Sequence, residues 1–222
     1  MEPVDQLLFG YREGHGLIAG SMQLAPSELI DVLPHVDASV QDADEQQLVG
    51  IWVASLSRYL LARIWAAPES GRPGAVWAHA LLLSPEQVDS GRVGELQALL
   101  RRPSEDAVAG YDARLEWPAG SRSPGAPPTL MRALARAARS REERECVVLW
   151  PHPAQAEGEL LALLDAMAAG RRRGLSFRVL ERVRAGSSPY RVQVGASFSG
   201  ADADVLLIDA RPHPPADEWA RN

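Results

Sequence analysis

The side chains best placed to do chemistry are His15 and His79. Imidazole is the group that most readily moves a proton near neutral pH, and of the five histidines these two sit in strand-like surroundings. The others, His35, His152 and His213, lie next to prolines and read as surface residues. His15 stands in Gln6-Leu7-Leu8-Phe9-Gly10-Tyr11-Arg12-Glu13-Gly14-His15-Gly16-Leu17, which reads as a hairpin with its turn at Glu13-Gly14. In that register Arg12 falls opposite His15. Leu7, Phe9, Tyr11 and Ile18 then share one face, and Leu8, Arg12, His15, Leu17 and Ala19 the other. Glu13 is near enough to orient the ring or join in acid-base work, so His15, His79 and Glu13 are the catalytic candidates. A turn histidine that locks its hairpin is the competing reading. His79 alternates with Trp77 and Leu81 in Trp77-Ala78-His79-Ala80-Leu81, where a hydrogen-bonded core histidine is the default. If both hairpins join one sheet, His15 and His79 could meet, with Arg72 or Arg63 completing an anion-binding or acid-base pocket. Tyr11, Arg12, Arg72 and Trp77 are the binding candidates.

Other chemistries lose their key residues. All 23 basic residues are arginine, which removes a P-loop lysine, a Schiff-base lysine and a Ser-Lys dyad. Cys146 lies inside Val147-Val148-Leu149, where a thiol is an inert small hydrophobe. Gly-x-Ser-x-Gly and Gly-x-Gly-x-x-Gly are both absent. Paired His-x-Ser/Thr motifs would supply a hydroxyl for a phosphate oxygen, but Leu17 and Leu81 hold those positions. Neither His-x-x-x-His nor Cys-x-x-Cys occurs. Asp42, Asp44 and Glu45 lack the glycine and terminal glutamate of a calcium loop, so no metal and no cofactor is expected.

The elements that must hold these residues alternate along the chain. With 222 residues, 46% of them hydrophobic, the chain can bury a sizeable core. Strands are expected over 6–12 and 15–22, a helix from Pro26 to about Leu33, and a solvated loop over 37–47. Residues 51–66 and 76–83 read as a second, longer hairpin. Ser84-Pro85-Glu86-Gln87 carries a helix-start signature, with a helix over about 93–101 after it. A Pro-, Gly- and Ser-rich stretch from Trp117 to Pro128 is the best internal boundary. Beyond it come a helix marked by Leu130, Leu134 and Ala137, a strand at Cys146–Trp150, a helix through Leu160 and Leu164, and strands near 175–180, 190–194 and 205–208. Arg171-Arg172-Arg173 complements the end of the second of these helices. The expected architecture is α+β, a mixed or antiparallel sheet built from hairpins and flanked by helices. Its halves are 1–117 and 129–210, packed together or continuous, with 211–222 as a tail.

Net charge of −6, with arginines scattered among acids, argues against nucleic acid as a partner. No apolar run reaches the roughly 18 to 20 residues of a membrane span. A single cysteine and an acidic start, Met1-Glu2-Pro3-Val4-Asp5, fit a cytoplasmic setting.

The stretch Gln6 to Ser21, with Gly10-Tyr11, Gly14-His15 and Leu17, resembles the N-terminal domain of the GTPase-associated proteins of bacterial NTP-dependent conflict systems. Arg72-Pro73-Gly74 through Trp77-Ala78-His79-Ala80-Leu81-Leu82 is similar to the same family's second motif, and Leu175-Ser176-Phe177 resembles a Ser-Phe segment near that domain's end, with Val179 where a threonine is expected. The resemblance implies a component of a multi-gene, anti-phage type immunity system that works with a GTPase and other proteins, in which this domain precedes further domains. It implies no reaction. An adaptor that docks on the GTPase or another component is therefore the leading expectation, and it calls for an exposed apolar or arginine-rich patch. The alternatives are a histidine-dependent enzyme or binding site for a phosphate- or nucleotide-like ligand using His15 and His79, and a structural domain whose histidines only stabilise hairpins.

Overall fold

The computed structural model describes residues 3–12, 14–37, 45–104, 108–117, 132–133, 146–184, 189–199 and 206–209. The central run Val76–Leu83 is buried at every position, and this strand, β5, has apolar neighbours on both faces. Continuous rather than alternating apolar sequence is what a strand covered on two sides requires. Before it come β1 (Asp5–Tyr11), β2 (His15–Gly20), helix α1 (Pro26–Val36), β3 (Gln46–Val53) and β4 (Arg58–Ala66). After it come α2 (Pro85–Asp89), a 3-10 helix (Val93–Leu99), β6 (Cys146–Leu149), α3 (Pro153–Ala166) and β7 (Phe177–Val179). The short strands β8 (Arg182–Arg184), β9 (Val192–Gly195), β10 (Ser197–Ser199) and β11 (Leu206–Asp209) complete the described chain.

Nine strands form one sheet in the order β11-β6-β9-β7-β3-β4-β5-β1-β2. From β7 through β2 every pair is antiparallel, whereas β11, β6, β9 and β7 run parallel. The sheet is therefore mixed and the class α+β, as the alternation of elements leads one to expect. On one face Leu61, Leu81 and Leu83 pack with Val93 and Leu96 of the 3-10 helix and with Leu160, Leu161 and Leu164 of α3. On the other, Leu7, Phe9, Leu60 and Leu82 pack with Val32 and Val36 of α1. A two-stranded parallel pair, β8 and β10, brings Val183 and Phe198 onto Val147 and Leu149.

Three expectations need correction. Residues 51–66 are not one strand of a hairpin with 76–83; a turn at 54–57, with Ser57 at φ +49, splits them between β3 and β4. β3 begins at Gln46, inside the stretch expected to be loop. In the first hairpin β1 ends at Tyr11 and β2 begins at His15, and Tyr11, not Arg12, is paired with His15. An irregular step then sets Phe9 against Leu17 and Leu8 against Ala19, leaving Ile18 as an extra residue. The Tyr11–His15 register places Leu17 on the Phe9 face, and the bulge lets both Ile18 and Ala19 pack with Leu8. The helix expected around Leu130, Leu134 and Ala137, the acids Asp42 and Asp44, and the tail 211–222 lie outside the described residues.

The early and late parts of the chain are tied through specific fits. A Cβ on Gly50 of β3 would stand 2.4 Å from the Phe177 ring, so the glycine makes the hollow that β7 fills. Tyr59 donates its hydroxyl hydrogen to the Leu175 carbonyl at 2.8 Å. Arg63 of β4 pairs with Glu157 of α3, which Gln97 also reaches at 2.8 Å. Burial raises the Glu157 carboxyl above its ordinary value, and Arg63 opposes that rise. Asp165 accepts the N–H groups of Val93 and Gly94 at 2.7 and 2.9 Å. Arg172 donates to the carbonyls of Leu164 and Asp165 at the end of α3 and of Val88 and Asp89 at the end of α2, the role that its position suggests.

Candidate functional site

Strand pairing decides where each candidate points. His79 lies opposite Leu8 on β1 and Arg63 on β4, on the face that carries Leu81. It is fully buried. Its Nδ1 accepts the backbone N–H of Arg101 at 3.2 Å, which leaves the proton on Nε2, donated to Gln6 Oε1 at 2.9 Å. That assignment is self-consistent, because Gln6 Nε2 donates to the carbonyls of Gly110 and Ala113 at 2.8 and 2.6 Å. Tyr111 closes the pocket edge-on, 4.9 Å between centroids. Burial, and then the nearby Arg101 charge, push the His79 pKa down to about 3. Every polar atom of the ring is engaged. The geometry is that of a structural pin joining β1, β5 and the segment after the 3-10 helix.

His15 sits across the sheet from it. Paired with Tyr11 and two residues from Leu17, it belongs to the face that α1 covers. Its Nδ1 is 3.9 Å from Asp37 at the end of α1, and its side chain is 10% exposed. Nε2 is buried and has no hydrogen-bond partner. Burial lowers the His15 pKa and Asp37 opposes the shift, so the ring is neutral at pH 7. The two histidines thus occupy opposite faces and do not line a common pocket.

What His15 does share is a cleft of about 550 Å³ with Tyr11, Asp37, Arg72, Pro73, Gly74 and Ala75. The loop that forms one wall is built by local rules. Residues 68–70 make a 3-10 turn closed by Gly71 at φ +66, and Ala75 N–H returns to the Arg72 carbonyl at 3.2 Å. With Pro73 and Gly74 central, and Gly74 at φ +75, that closure is a type II turn, which the Pro-Gly pair specifies. Arg72 is thereby aimed at the hairpin. Its guanidinium lies 4.2 Å from the centre of the Tyr11 ring and donates to the Tyr11 hydroxyl.

Trp77 and Arg12 are not among the side chains that line the cleft. Trp77 is on the His79 face, donates its indole N–H to Glu69 at 2.7 Å and lies over Gly10, where a Cβ would come within 2.2 Å of the ring. Glu69 is in turn held by Arg102 at 2.8 Å. Arg12 is exposed, and Glu13 lies outside the described residues. Among the described residues no three His, Cys, Asp or Glu side chains cluster as metal ligands would. Sequence reasoning did not single out Gln6, Asp37 or Arg101. Gln6 alone carried a signal, as a polar residue opening an apolar strand.

Residues 3–102 match the family model described as GTPase-associated protein 1, N-terminal domain type 1. The match takes in β1 through β5, both histidines and the cleft, and it ends before Leu175-Ser176-Phe177. No curated protein and no solved structure matches the chain.

Proposed function

We propose, from the premise that residues 3–102 are a GTPase-associated protein N-terminal domain, that the chain is an adaptor. It docks on a GTPase, or on another protein of the same system, within a bacterial conflict system of the anti-phage type, in the cytoplasm. The observation that carries this reading is the family match. No helix among the described residues is long and apolar enough to cross a membrane.

A docking face with the right chemistry supports it. The large apolar side chains exposed among the described residues, Ile30 and Leu207, stand on different elements and make no patch. Arginines do gather around the small cluster of Leu8, Ala75, Trp77 and Tyr111. Arg101 stacks on Tyr111 at 4.7 Å, and Arg102 is bound through Glu69 to Trp77. Arginine beside aromatic rings is what the centre of a protein interface favours. A two-histidine active site has less support, because His79 is spent on Gln6 and Arg101.

Co-expression of the chain with each protein encoded beside it, followed by mass measurement of the complexes in solution, tests the reading. A stable complex with the GTPase or a neighbouring component, weakened about tenfold or more by Arg101→Glu, is the expected result. Absence of a complex with every neighbour contradicts it.

A further inference from the structure

Arg63, Arg92, Arg102, Arg114 and Arg173 are each paired with a carboxylate, on Glu157, Glu95, Glu69, Asp5 and Asp89. Arg72 has no carboxylate partner among the described residues; its contact is the neutral Tyr11 hydroxyl. We propose that the cleft between the 68–75 loop and the β1–β2 hairpin binds a phosphoryl group, held by the Arg72 guanidinium and the Tyr11 hydroxyl. The proposal is independent of the adaptor reading.

Three features converge on it. The guanidinium is held over the Tyr11 ring and fixed by one hydrogen bond, so its remaining N–H donors are presented in a set orientation at little further entropic cost. The Tyr11 oxygen accepts from Arg72, so its own hydrogen is free to donate to an oxyanion. His15, in the same cleft, is nine-tenths enclosed with Nε2 unpartnered. The charged and titratable groups described around the cleft are Tyr11, His15, Asp37 and Arg72.

Asp37 decides how binding depends on pH. With His15 neutral, the exposed Asp37 carboxylate that shares the cleft opposes an anionic ligand there. When His15 takes up a proton, Asp37 and the imidazolium balance each other, and Arg72 is left to meet the ligand. Binding is therefore coupled to one proton taken up at His15, and it weakens as pH rises above the pKa that the ring acquires in the complex. A phosphoryl group fits this site better than a carboxylate, since its oxygens can meet the Arg72 and Tyr11 donors together and its second negative charge gains more from the nearby imidazolium.

Calorimetric titration of the full chain with inorganic phosphate and with pyrophosphate, in two buffers of different ionisation enthalpy, tests the proposal. Saturable binding with proton uptake is expected, lost by about tenfold or more in Arg72→Gln and partly kept in Arg72→Lys. In His15→Gln the residual binding should follow only the ligand's own ionisation, which also falls near neutral pH, and the proton uptake beyond that should be lost. Arg72 is exposed, so its variants should melt as the parent does, which separates lost binding from lost folding. No saturable binding at millimolar ligand, or equal affinity in Arg72→Gln, overturns the proposal.

Discussion

His79 stays neutral because charging it would leave an imidazolium enclosed beside Arg101. In the unfolded chain the ring titrates near 6.5, whereas in the folded protein it resists protonation down to about 3. The unfolded state therefore binds the extra proton between those values, so this contribution to stability is complete above pH 6.5 and is lost as pH falls toward 3, at up to about 1.4 kcal/mol per pH unit. Replacing His79 by Gln should destabilise the protein at pH 7, and the gap from the parent, read from urea midpoints, should narrow steadily between pH 6.5 and 4. A gap that stays constant over that range would mean the ring is not held neutral. Two glycines give a paired test of packing. Gly10→Ala drives a Cβ into the Trp77 ring and should cost about 1–3 kcal/mol. Gly16→Ala meets nothing within 4 Å and should change stability by less than about 0.5 kcal/mol. The core histidine was readable from its apolar alternation, but its partners were not, since Gln6 and Arg101 are distant in sequence and no local pattern links them.

Local signals were clearest where one short segment sets its own conformation. Ser84-Pro85-Glu86-Gln87 forms the capping box its order announces, with Ser84 Oγ accepting from Gln87 N–H and the Gln87 side chain accepting from Ser84 N–H. Ser84→Ala should cost about 1 kcal/mol, measured by thermal or chemical denaturation, and a neutral result would show that α2 is held by packing alone. The turn between β3 and β4 was hidden because Ala54-Ser55-Leu56-Ser57 contains neither glycine nor proline, and Ser57 adopts a positive φ that sequence does not advertise. The bulge at Ile18 was equally silent. It carries Ala19 to the Leu8 side beside Ile18, whereas His15 and Leu17 are misplaced by a turn read one pair too far along, since Tyr11 and Phe9 are their partners.

The four late strands of the large sheet were recognisable one by one, whereas β8 and β10 were not, and the order β11-β6-β9-β7 against β3 depends on long-range pairing that no sequence window contains. That pairing makes the matched residues depend on the rest. Without β7 and α3, β3 would become an open edge, Arg63 would lose Glu157, and the apolar face under Leu160 and Leu164 would be bare. A fragment of residues 3–104 should therefore lack a cooperative unfolding transition that the full chain shows. In the full chain Glu157→Ala should cost about 3–5 kcal/mol, because it strands a mostly buried guanidinium. The sheet also acts as a partition, with the structural histidine on one face and the cleft histidine on the other. The most direct check is a titration of the imidazole nitrogens by NMR, from pH 8 to 4, with and without phosphate. The account predicts that His79 stays neutral with its proton on Nε2 and ignores phosphate, while His15 titrates below 6.5 and shifts upward when phosphate is added. Two histidines that titrate together and respond alike to phosphate would contradict it.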